Sequence, residues 1–144
     1  MPGFKGGREM HLIVCVDDRY GMLFNDRRLS SDRILTEKIC ALCAENMLWV
    51  DPYTEKLFQN VDAPITVSEN PLQKASVGEW CFLEKGEILP YQDQIESVTL
   101  CRWNRKYPAD RYFPLEIIDG RQPTFVEEFQ GNSHEKITVE RYVL

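Results

Sequence analysis

Alternating apolar and polar side chains in the last third of the chain constrain its fold more than any other feature. Residues 98–103 (VTLCRW) carry branched or aromatic side chains on both faces, a pattern typical of a half-buried strand. Pro108 then marks a break, because proline cannot donate to a strand ladder. Residues 124–129 and 137–143 alternate in the same way on either side of a Gly-Asn-Ser turn at 131–133. The sequence therefore predicts a strand followed by a carboxy-terminal antiparallel hairpin.

Four apolar runs upstream complete the predicted sheet. Residues 12–16 (LIVCV) are continuously apolar, as is typical of a central strand buried on both faces. Residues 47–50, 65–67 and 80–83 are shorter runs, separated by segments with helix or loop signals. Strands that alternate with helices and then end in a hairpin predict one α/β domain, with a mixed sheet of seven strands and few flanking helices.

The main predicted helix runs from Ser31 to about residue 45, where apolar side chains recur at helical spacing. Ser30 or Ser31 is expected to cap this helix and Asp32 to lie in its first turn, where a carboxylate complements the helix dipole. A short helix is expected over residues 53–59 and a helical turn over residues 88–95. The segments 22–28 and 69–76 are expected to be a loop and a polar connection.

Composition excludes several classes of function. The chain has 144 residues, a formal net charge of -6 and a pI of about 5.0, which argues against nucleic acid as a partner. No apolar run approaches the roughly 18 residues of a membrane helix, so we expect no membrane association. Residues 1–9 lack the apolar core of a signal peptide, and we interpret them as a flexible leader of a cytoplasmic protein.

The cysteines and histidines do not predict a metal centre. Five cysteines are an odd number, which suits free thiols in a reducing compartment better than a disulfide framework. Cys40 and Cys43 form a C-x-x-C inside the predicted helix, where cysteine usually packs as a small apolar group. The only histidines, His11 and His134, lie at opposite ends of the chain. We therefore expect no bound metal.

The order of these motifs resembles that of the dihydrofolate reductase family. Members of that family have a strand, an Asp-x-x-Phe-Pro corner and a last hairpin ending near a Glu-x-Tyr, here at residues 110–114 and 140–142. They also begin with a buried strand, a loop containing glycine and a helix with an early acid, here residues 12–16, Gly21 and Asp32. The resemblance implies a single dihydrofolate reductase-like domain over residues 10–144.

The same resemblance implies a candidate site. In the family, the early acid holds a pterin through paired hydrogen bonds and helps to deliver a proton, so Asp32 is the candidate catalytic residue. Its position implies that the ligand contacts come from Gly21, Met22, Leu35, Thr54, Leu100 and Cys101. On the residues alone, Asp32 equally suits a structural role at the helix start.

The resemblance fails where the family binds its cofactor. The Gly-Arg-x-Thr that receives the cofactor phosphates corresponds to Asp51-Pro52-Tyr53-Thr54, of which only Thr54 is retained. The Gly-Gly against which the nicotinamide lies corresponds to Leu83-Glu84, and the span from Phe58 to Phe82 is short. An acid repels phosphate and a proline removes an amide donor. We therefore expect no NADPH and no other cofactor, in a domain that lacks most of the cofactor-binding subdomain.

The chain also resembles a small bacterial family whose members often carry the label ribonuclease Z. True enzymes of that name resemble metallo-β-lactamases and need a cluster of His and Asp ligands for two zinc ions. Two histidines cannot supply that cluster, so we expect the label to be a misassignment.

Three functions remain open from the sequence. The first is a binding or accessory protein on a degenerate reductase-like fold, without NADPH-dependent turnover. The second is an enzyme acting on a pterin-like or nucleotide-like heterocycle, with Asp32 as general acid or base. The third is a homodimeric interaction module that exposes Tyr107, Tyr112 and Phe113. Whether the cleft beside Asp32 is open or filled by side chains separates these readings best.

Overall fold

The computed structural model describes residues 9–44 and 46–144. Residues 1–8 of the leader predicted at residues 1–9, and residue 45 at the predicted end of the main helix, lie outside the described residues. Glu9, the last residue of that leader, is tied to the fold. Its amide donates to the carbonyl of Gln94 (2.9 Å), and its carbonyl accepts from the amide of Gly78 (2.8 Å).

Seven strands form one mixed sheet, which confirms the predicted architecture. The elements of the chain are β1 (Met10–Val16), β2 (Gly21–Phe24), β3 (Arg27–Arg28), α1 (Arg33–Cys43), β4 (Leu48–Val50), α2 (Pro52–Glu55), β5 (Ile65–Val67), α3 (Pro71–Lys74), β6 (Trp80–Phe82), β7 (Ile95–Arg102), β8 (Arg111–Tyr112), β9 (Phe125–Phe129) and β10 (Ile137–Val143). The strand order is β5-β4-β6-β1-β7-β10-β9. The first five strands in that order are parallel, and β10 and β9 add the antiparallel hairpin.

Short 3₁₀ helices occupy the two places where helical segments were expected after residue 55 and before β7. Lys56–Phe58 continues α2, and Leu89–Gln94 precedes β7. A third 3₁₀ turn, Leu115–Ile117, follows β8. Pro90 is tolerated in the helix Leu89–Gln94 because it lies near the start of that helix, where its missing amide hydrogen costs no helical hydrogen bond.

A second, three-stranded sheet was not predicted, because residues 22–28 were expected to form a loop. Its strand order is β3-β2-β8. The turn between β2 and β3 consists of Asn25 and Asp26, both with positive φ (51° and 61°), which is the backbone of a type I′ hairpin turn. Strand β3 has two residues and β8 joins from far along the chain, so neither leaves an alternating pattern in the sequence. Helix α3, inside the segment expected to be a polar connection, was also not predicted, because its four residues are too few to show a helical period.

Helix α1 begins at Arg33, two residues later than predicted. Asp32 is its N-cap, with an extended backbone (φ -155°, ψ 125°), and its carboxylate accepts the amides of Ile34 (3.0 Å) and Leu35 (3.3 Å). Leu35, Ile39 and Cys43 are buried against the sheet, so the helical spacing in the sequence marks the packed face correctly.

The two faces of the large sheet carry separate apolar clusters. One contains Leu12, Val98 and Leu100, and the other contains Ile13, Cys101 and the buried face of α1. Because side chains alternate along a strand, Leu100 and Cys101 point away from each other. All five cysteines are free, with Cys43, Cys81 and Cys101 buried.

Two absences apply to the part of the chain that the structure describes. None of the helices in residues 9–44 and 46–144 is long and apolar enough to cross a membrane. Those residues also bring together no group of three or more His, Cys, Asp or Glu side chains with the geometry of a metal site.

Candidate functional site

Asp32 lies at the junction between the start of α1 and the turn of the last hairpin. Besides capping α1, its carboxylate accepts hydrogen bonds from the amides of Asn132 (2.9 Å) and Ser133 (2.8 Å) and from the Ser133 hydroxyl (3.2 Å). It also lies 2.9 Å from Nδ1 of His134. Asp32 is 4% exposed. Its carboxylate oxygens are therefore surrounded by donors that belong to the protein.

These contacts control the ionisation of Asp32. Burial by itself would raise the pKa of this carboxyl, but the amides of Asn132 and Ser133 and the ring of His134 outweigh it, so the pKa lies well below its usual range. The carboxylate is thus ionised at neutral pH. An ionised carboxylate only accepts hydrogen bonds, so Nδ1 of His134 carries the proton toward it.

His134 connects Asp32 to two hydroxyl groups. With Nδ1 protonated, Nε2 is the acceptor nitrogen, and it lies 3.0 Å from the hydroxyl of Ser30 and 3.2 Å from that of Tyr107. The ring stacks on Trp103 with centroids 4.7 Å apart. His134 is 4% exposed, so its orientation is fixed on every side.

The hairpin approaches α1 too closely to allow a side chain at Gly131. A Cβ built there would lie 2.6 Å from Oδ2 of Asp32 and 2.9 Å from Cδ1 of Ile137. Contacts under 3.0 Å do not occur for real Cβ atoms, so the turn depends on glycine for space.

Gly21 is also required by a close approach of two chain segments. A Cβ at this position would lie 2.5 Å from the Cβ of Ala109. The residue with positive φ is its neighbour Tyr20 (66°). The buried carboxylate of Asp17 accepts the amides of Gly21 (2.7 Å), Arg19 (2.9 Å) and Tyr107 (3.1 Å), which joins this loop to the one after β7.

The cleft beside Asp32 is filled by side chains. Its cavity is about 10 Å³, roughly the room needed by one water molecule. Its walls include Leu35, Phe82, Glu84 and Trp103. This is the place where the sequence resemblance puts the pterin.

Of the other predicted ligand contacts, only Leu35 lines this cleft. Leu35, Leu100 and Cys101 are at most 2% exposed, and Leu100 lies on the far face of the sheet from Cys101. Met22 lines a separate surface pocket, described below. Thr54 is completely buried and donates its hydroxyl to Glu84.

A charged cluster stands where the resemblance places the cofactor. The guanidinium of Arg28 donates to both carboxylate oxygens of Glu84, from Nε (2.8 Å) and Nη2 (2.9 Å), and the Thr54 hydroxyl donates to the same carboxylate (2.8 Å). The amide of Thr54, at the start of α2, donates to the carboxylate of Asp51 (2.7 Å). These residues do not fit an anionic dinucleotide, because the carboxylates of Asp51 and Glu84 would repel its phosphates and the Thr54 amide at the helix start is already bonded.

A better-formed pocket lies between the small sheet and the segment after β6. Its volume is about 190 Å³. Met22, Leu23 and Ile88 form its apolar wall, while Arg111 and Glu87 are exposed charges at its margin. The exposed side chains of Leu89 (42%) and Tyr112 (54%) also line it. Apolar walls with a few polar groups are typical of small-molecule sites.

Three residues of this region could not be assigned from the sequence. His134 is separated from Asp32 by 102 positions, and its turn carries no motif for it. Ser30 drew attention only as a possible cap, and Glu84 only as a departure from Gly-Gly. The one usable signal was the presence of a histidine next to the predicted turn of the last hairpin.

Comparisons with known proteins support the fold. The sequence matches no protein-family model and no curated protein. Among solved structures, the chain is similar to a dihydrofolate reductase from Enterococcus faecalis complexed with NADP(H) and RAB-propyl, with a TM-score of 0.60 and 10% identity. The likeness covers 94% of this chain and 95% of that one. At this identity it shows the fold alone: the protein is a single α/β domain with a dihydrofolate reductase-like fold.

Proposed function

We propose that the protein is a small cytoplasmic binding protein on a dihydrofolate reductase-like fold and that it does not transfer hydride. Its ligand is a small heterocycle held in the pocket between β2, β8 and the segment after β6. The observation that carries the proposal is the filled cleft of about 10 Å³ beside Asp32. Five free cysteines are consistent with the reducing compartment.

The surroundings of Asp32 support a structural role for this residue. Its carboxylate already accepts from amides on α1 and on the hairpin turn, and it is hydrogen-bonded to His134. A general acid at neutral pH needs a raised pKa, whereas that of Asp32 is lowered. Binding a heterocycle here would break several of these bonds and expel packed side chains. We therefore place the ligand site elsewhere and infer that no proton is delivered from Asp32.

The charged cluster around Glu84 supports the absence of NADPH-dependent turnover. Glu84 is 8% exposed and held by Arg28 and Thr54, so a cofactor would have to displace a buried ion pair. Separating a buried charged pair is costly, because each ion loses its partner without regaining water.

The surface pocket combines a buried apolar wall with charged groups at its margin. Its volume of about 190 Å³ is smaller than that of most drug-sized sites, which suits a one-ring or two-ring molecule better than a dinucleotide. Apolar contacts with Met22, Leu23 and Ile88 would hold the ring, while Arg111 and Glu87 could bond its polar edge.

The experiment is a thermal-shift and NMR screen of pterins, purines and pyrimidines against three proteins: the parent, Arg111→Ala and Arg19→Ala. Arg19 is a matched control, since it is an exposed arginine outside the pocket. We expect a ligand that binds the parent and Arg19→Ala equally and Arg111→Ala at least about tenfold more weakly, the effect of losing one hydrogen bond to a charged group.

Two results would contradict the proposal. One is calorimetric binding of NADPH tighter than about 10 μM, equivalent to about -7 kcal/mol. The other is a ligand whose chemical-shift changes map to Asp32 and α1 while Arg111→Ala leaves its affinity unchanged.

A homodimer is the second candidate, because exposed apolar side chains surround the same pocket. Leu89 (42% exposed) and Tyr112 (54%) line the pocket, and Leu115 (46%) directly follows Pro114 of its lining. Tyr107 and Phe113, expected to belong to such a surface, are half-buried and buried (2%), so they do not contribute an exposed patch. Sedimentation equilibrium of the parent and of a Leu89→Ser, Tyr112→Ser double variant tests it: a dimer that the variant dissociates supports a protein partner at this pocket.

A further inference from the structure

We propose that Ser30, His134 and Asp32 form a nucleophilic triad that cleaves small acyl esters bearing an anionic group, with Ser30 as the attacking residue. This activity goes beyond ligand binding at the surface pocket and uses none of that pocket's residues. The juxtaposition that carries it is a serine, a histidine and an ionised carboxylate in unbroken hydrogen-bond contact.

The distances are those of an activated serine. Oγ of Ser30 lies 3.0 Å from Nε2 of His134, and Nδ1 of the same ring lies 2.9 Å from Oδ2 of Asp32. A nucleophile and its base, with the base oriented by a third group, should lie about 2.6–3.2 Å apart. The three residues come from the segment before α1, the N-cap of α1 and the hairpin turn, so the order of the chain alone does not suggest the arrangement.

The hydrogen bond to Asp32 favours the ring tautomer that such a base requires. Asp32 accepts from Nδ1, which leaves the lone pair of Nε2 free to take a proton from a hydroxyl. Stacking on Trp103 and near-complete burial hold the ring in this orientation. Asp32 touches no substrate in this scheme and acts as a positioning residue.

Tyr107 competes with Ser30 for the same lone pair. Its hydroxyl lies 3.2 Å from Nε2 of His134, slightly further than that of Ser30. One lone pair accepts one strong hydrogen bond at a time, so a donating Tyr107 makes the nitrogen a weaker base toward Ser30. Removing the phenol hydroxyl should therefore raise the reactivity of the serine.

The accessible approach to Ser30 sets the substrate class. Ser30 is partly exposed, and the closed cleft of about 10 Å³ excludes a substrate from the side of α1. A groove of about 320 Å³ is lined by Leu29, the residue before Ser30, and by Tyr107. Arg27 lines this groove, is exposed and forms no ion pair with any described residue, whereas Arg28 is held by Glu84. An anionic group on the substrate would bind Arg27 while the ester carbonyl lies at Ser30.

The reaction balances without a further reagent. Oγ of Ser30 adds to the carbonyl carbon of the ester as its proton passes to Nε2 of His134. The bond from that carbon to the alcohol oxygen then breaks, and the departing alcohol takes the proton from Nε2, leaving an acyl ester on Ser30. Water repeats the two steps and releases the carboxylic acid and the free serine.

The decisive experiment is labelling of the full chain with a fluorophosphonate probe, in which the serine oxygen displaces fluoride at phosphorus. Peptide mass spectrometry should place the label on Ser30. Ser30→Ala should abolish labelling, and Ser31→Ala, which removes the neighbouring hydroxyl, should retain it. His134→Gln should slow labelling by about 100-fold or more, the contribution of a general base.

A second variant keeps the test clear if His134→Gln does not fold. Tyr107→Phe retains the ring and removes only the competing hydroxyl, and it should label faster than the parent. A folded parent protein that is not labelled at Ser30, or labelling that Ser30→Ala leaves unchanged, would overturn the proposal.

The anionic part of the substrate class has its own test. Hydrolysis of mono-p-nitrophenyl succinate should exceed that of p-nitrophenyl acetate in kcat/KM, and Arg27→Ala should remove the difference. Equal rates for the two esters in the parent would show that the groove does not select an anion.

Discussion

Asp32 combines three structural tasks in one side chain. It caps α1, binds the turn of the last hairpin through two amides, and fixes the orientation of His134. Each task requires an acceptor, and only a carboxylate supplies enough lone pairs for all of them. From the sequence alone, Asp32 is only an acid near the start of a helix, a common position for an acid and one that contributes little to stability.

Replacing Asp32 by Asn should therefore cost much more stability than a first-turn acid does. The amide nitrogen of Asn would face either the amide hydrogen of Asn132 or, in the other orientation, that of Ser133 and the proton on His134, so buried donors would oppose each other. We expect a loss of about 3–5 kcal/mol in the free energy of unfolding, because at least two buried donors lose a charged acceptor at about 1.5–3 kcal/mol each. An acid that only complements a dipole contributes about 0.3–1 kcal/mol.

Urea unfolding followed by circular dichroism measures this loss. Asp51→Asn is the matched control, because Asp51 is also an N-cap but accepts only the Thr54 amide, which Asn can do equally well. A loss below about 1 kcal/mol at Asp32 would show that the turn of the hairpin does not depend on this carboxylate.

Between elements, the ion pair of Arg28 and Glu84 joins β3 to the segment after β6, and Thr54 adds the start of α2. The side chains of the pair are 22% and 8% exposed, so it is mostly desolvated. The ring of Tyr53 packs against the guanidinium, with its centroid 4.2 Å from Cζ of Arg28. The cluster thus holds the small sheet against the large one.

Removing one charge from this pair should destabilise the protein more than removing both. Arg28→Met leaves the buried Glu84 carboxylate without its counter-ion, and we expect a loss of about 3 kcal/mol or more. The double variant Arg28→Met, Glu84→Met should lose clearly less than the sum of the two single variants, since replacing a whole buried ion pair by apolar side chains of similar size is often nearly neutral.

The neighbouring ion pair of Lys85 and Asp26 is the internal control for these denaturation curves. Its carboxylate is 80% exposed, so Lys85→Met should change stability by less than about 1 kcal/mol. If the stability loss of the double variant equals the sum of the losses of Arg28→Met and Glu84→Met, the two residues do not interact as a pair.

For the whole molecule, three buried titratable groups predict how stability depends on pH. Burial lowers the pKa of His11, and the cation of Arg141 adds to the effect. Burial would raise the pKa of Asp17, but the amides of Tyr107, Gly21 and Arg19 outweigh it and lower the pKa, as at Asp32. In each case the folded pKa lies below the unfolded value, so protonation favours the unfolded chain.

We therefore expect the free energy of unfolding to fall in two steps as the pH is lowered. The contribution of His11 is present above its unfolded pKa of about 6.5 and is lost below it, and those of Asp17 and Asp32 are lost below about 3.9. Urea titrations from pH 8 to pH 3 test this: His11→Asn should remove the first step and Asp32→Asn should reduce the second. A single step below pH 4 in the parent would contradict the role given to His11.

The sequence by itself determined the seven strands, the main helix and the antiparallel end of the sheet. These depend on local periodicity, because every alternating or helical pattern that buries a face is written in consecutive residues. The α1 pattern and the final hairpin were predictable for this reason. The small sheet was not, because a two-residue strand such as β3 has no period and β8 reaches it from a distant part of the chain.

Only the tertiary structure decided what surrounds Asp32 and Glu84. The partners of Asp32 in the hairpin turn are about 100 residues away, and Arg28 lies 56 positions from Glu84. Side chains so distant meet only after β10 has paired with β7 and β6 with β1, which brings their ends to one edge of the sheet. Local sequence specifies which faces are buried, whereas the chemistry of a buried carboxylate depends on the donors that long-range packing delivers to it.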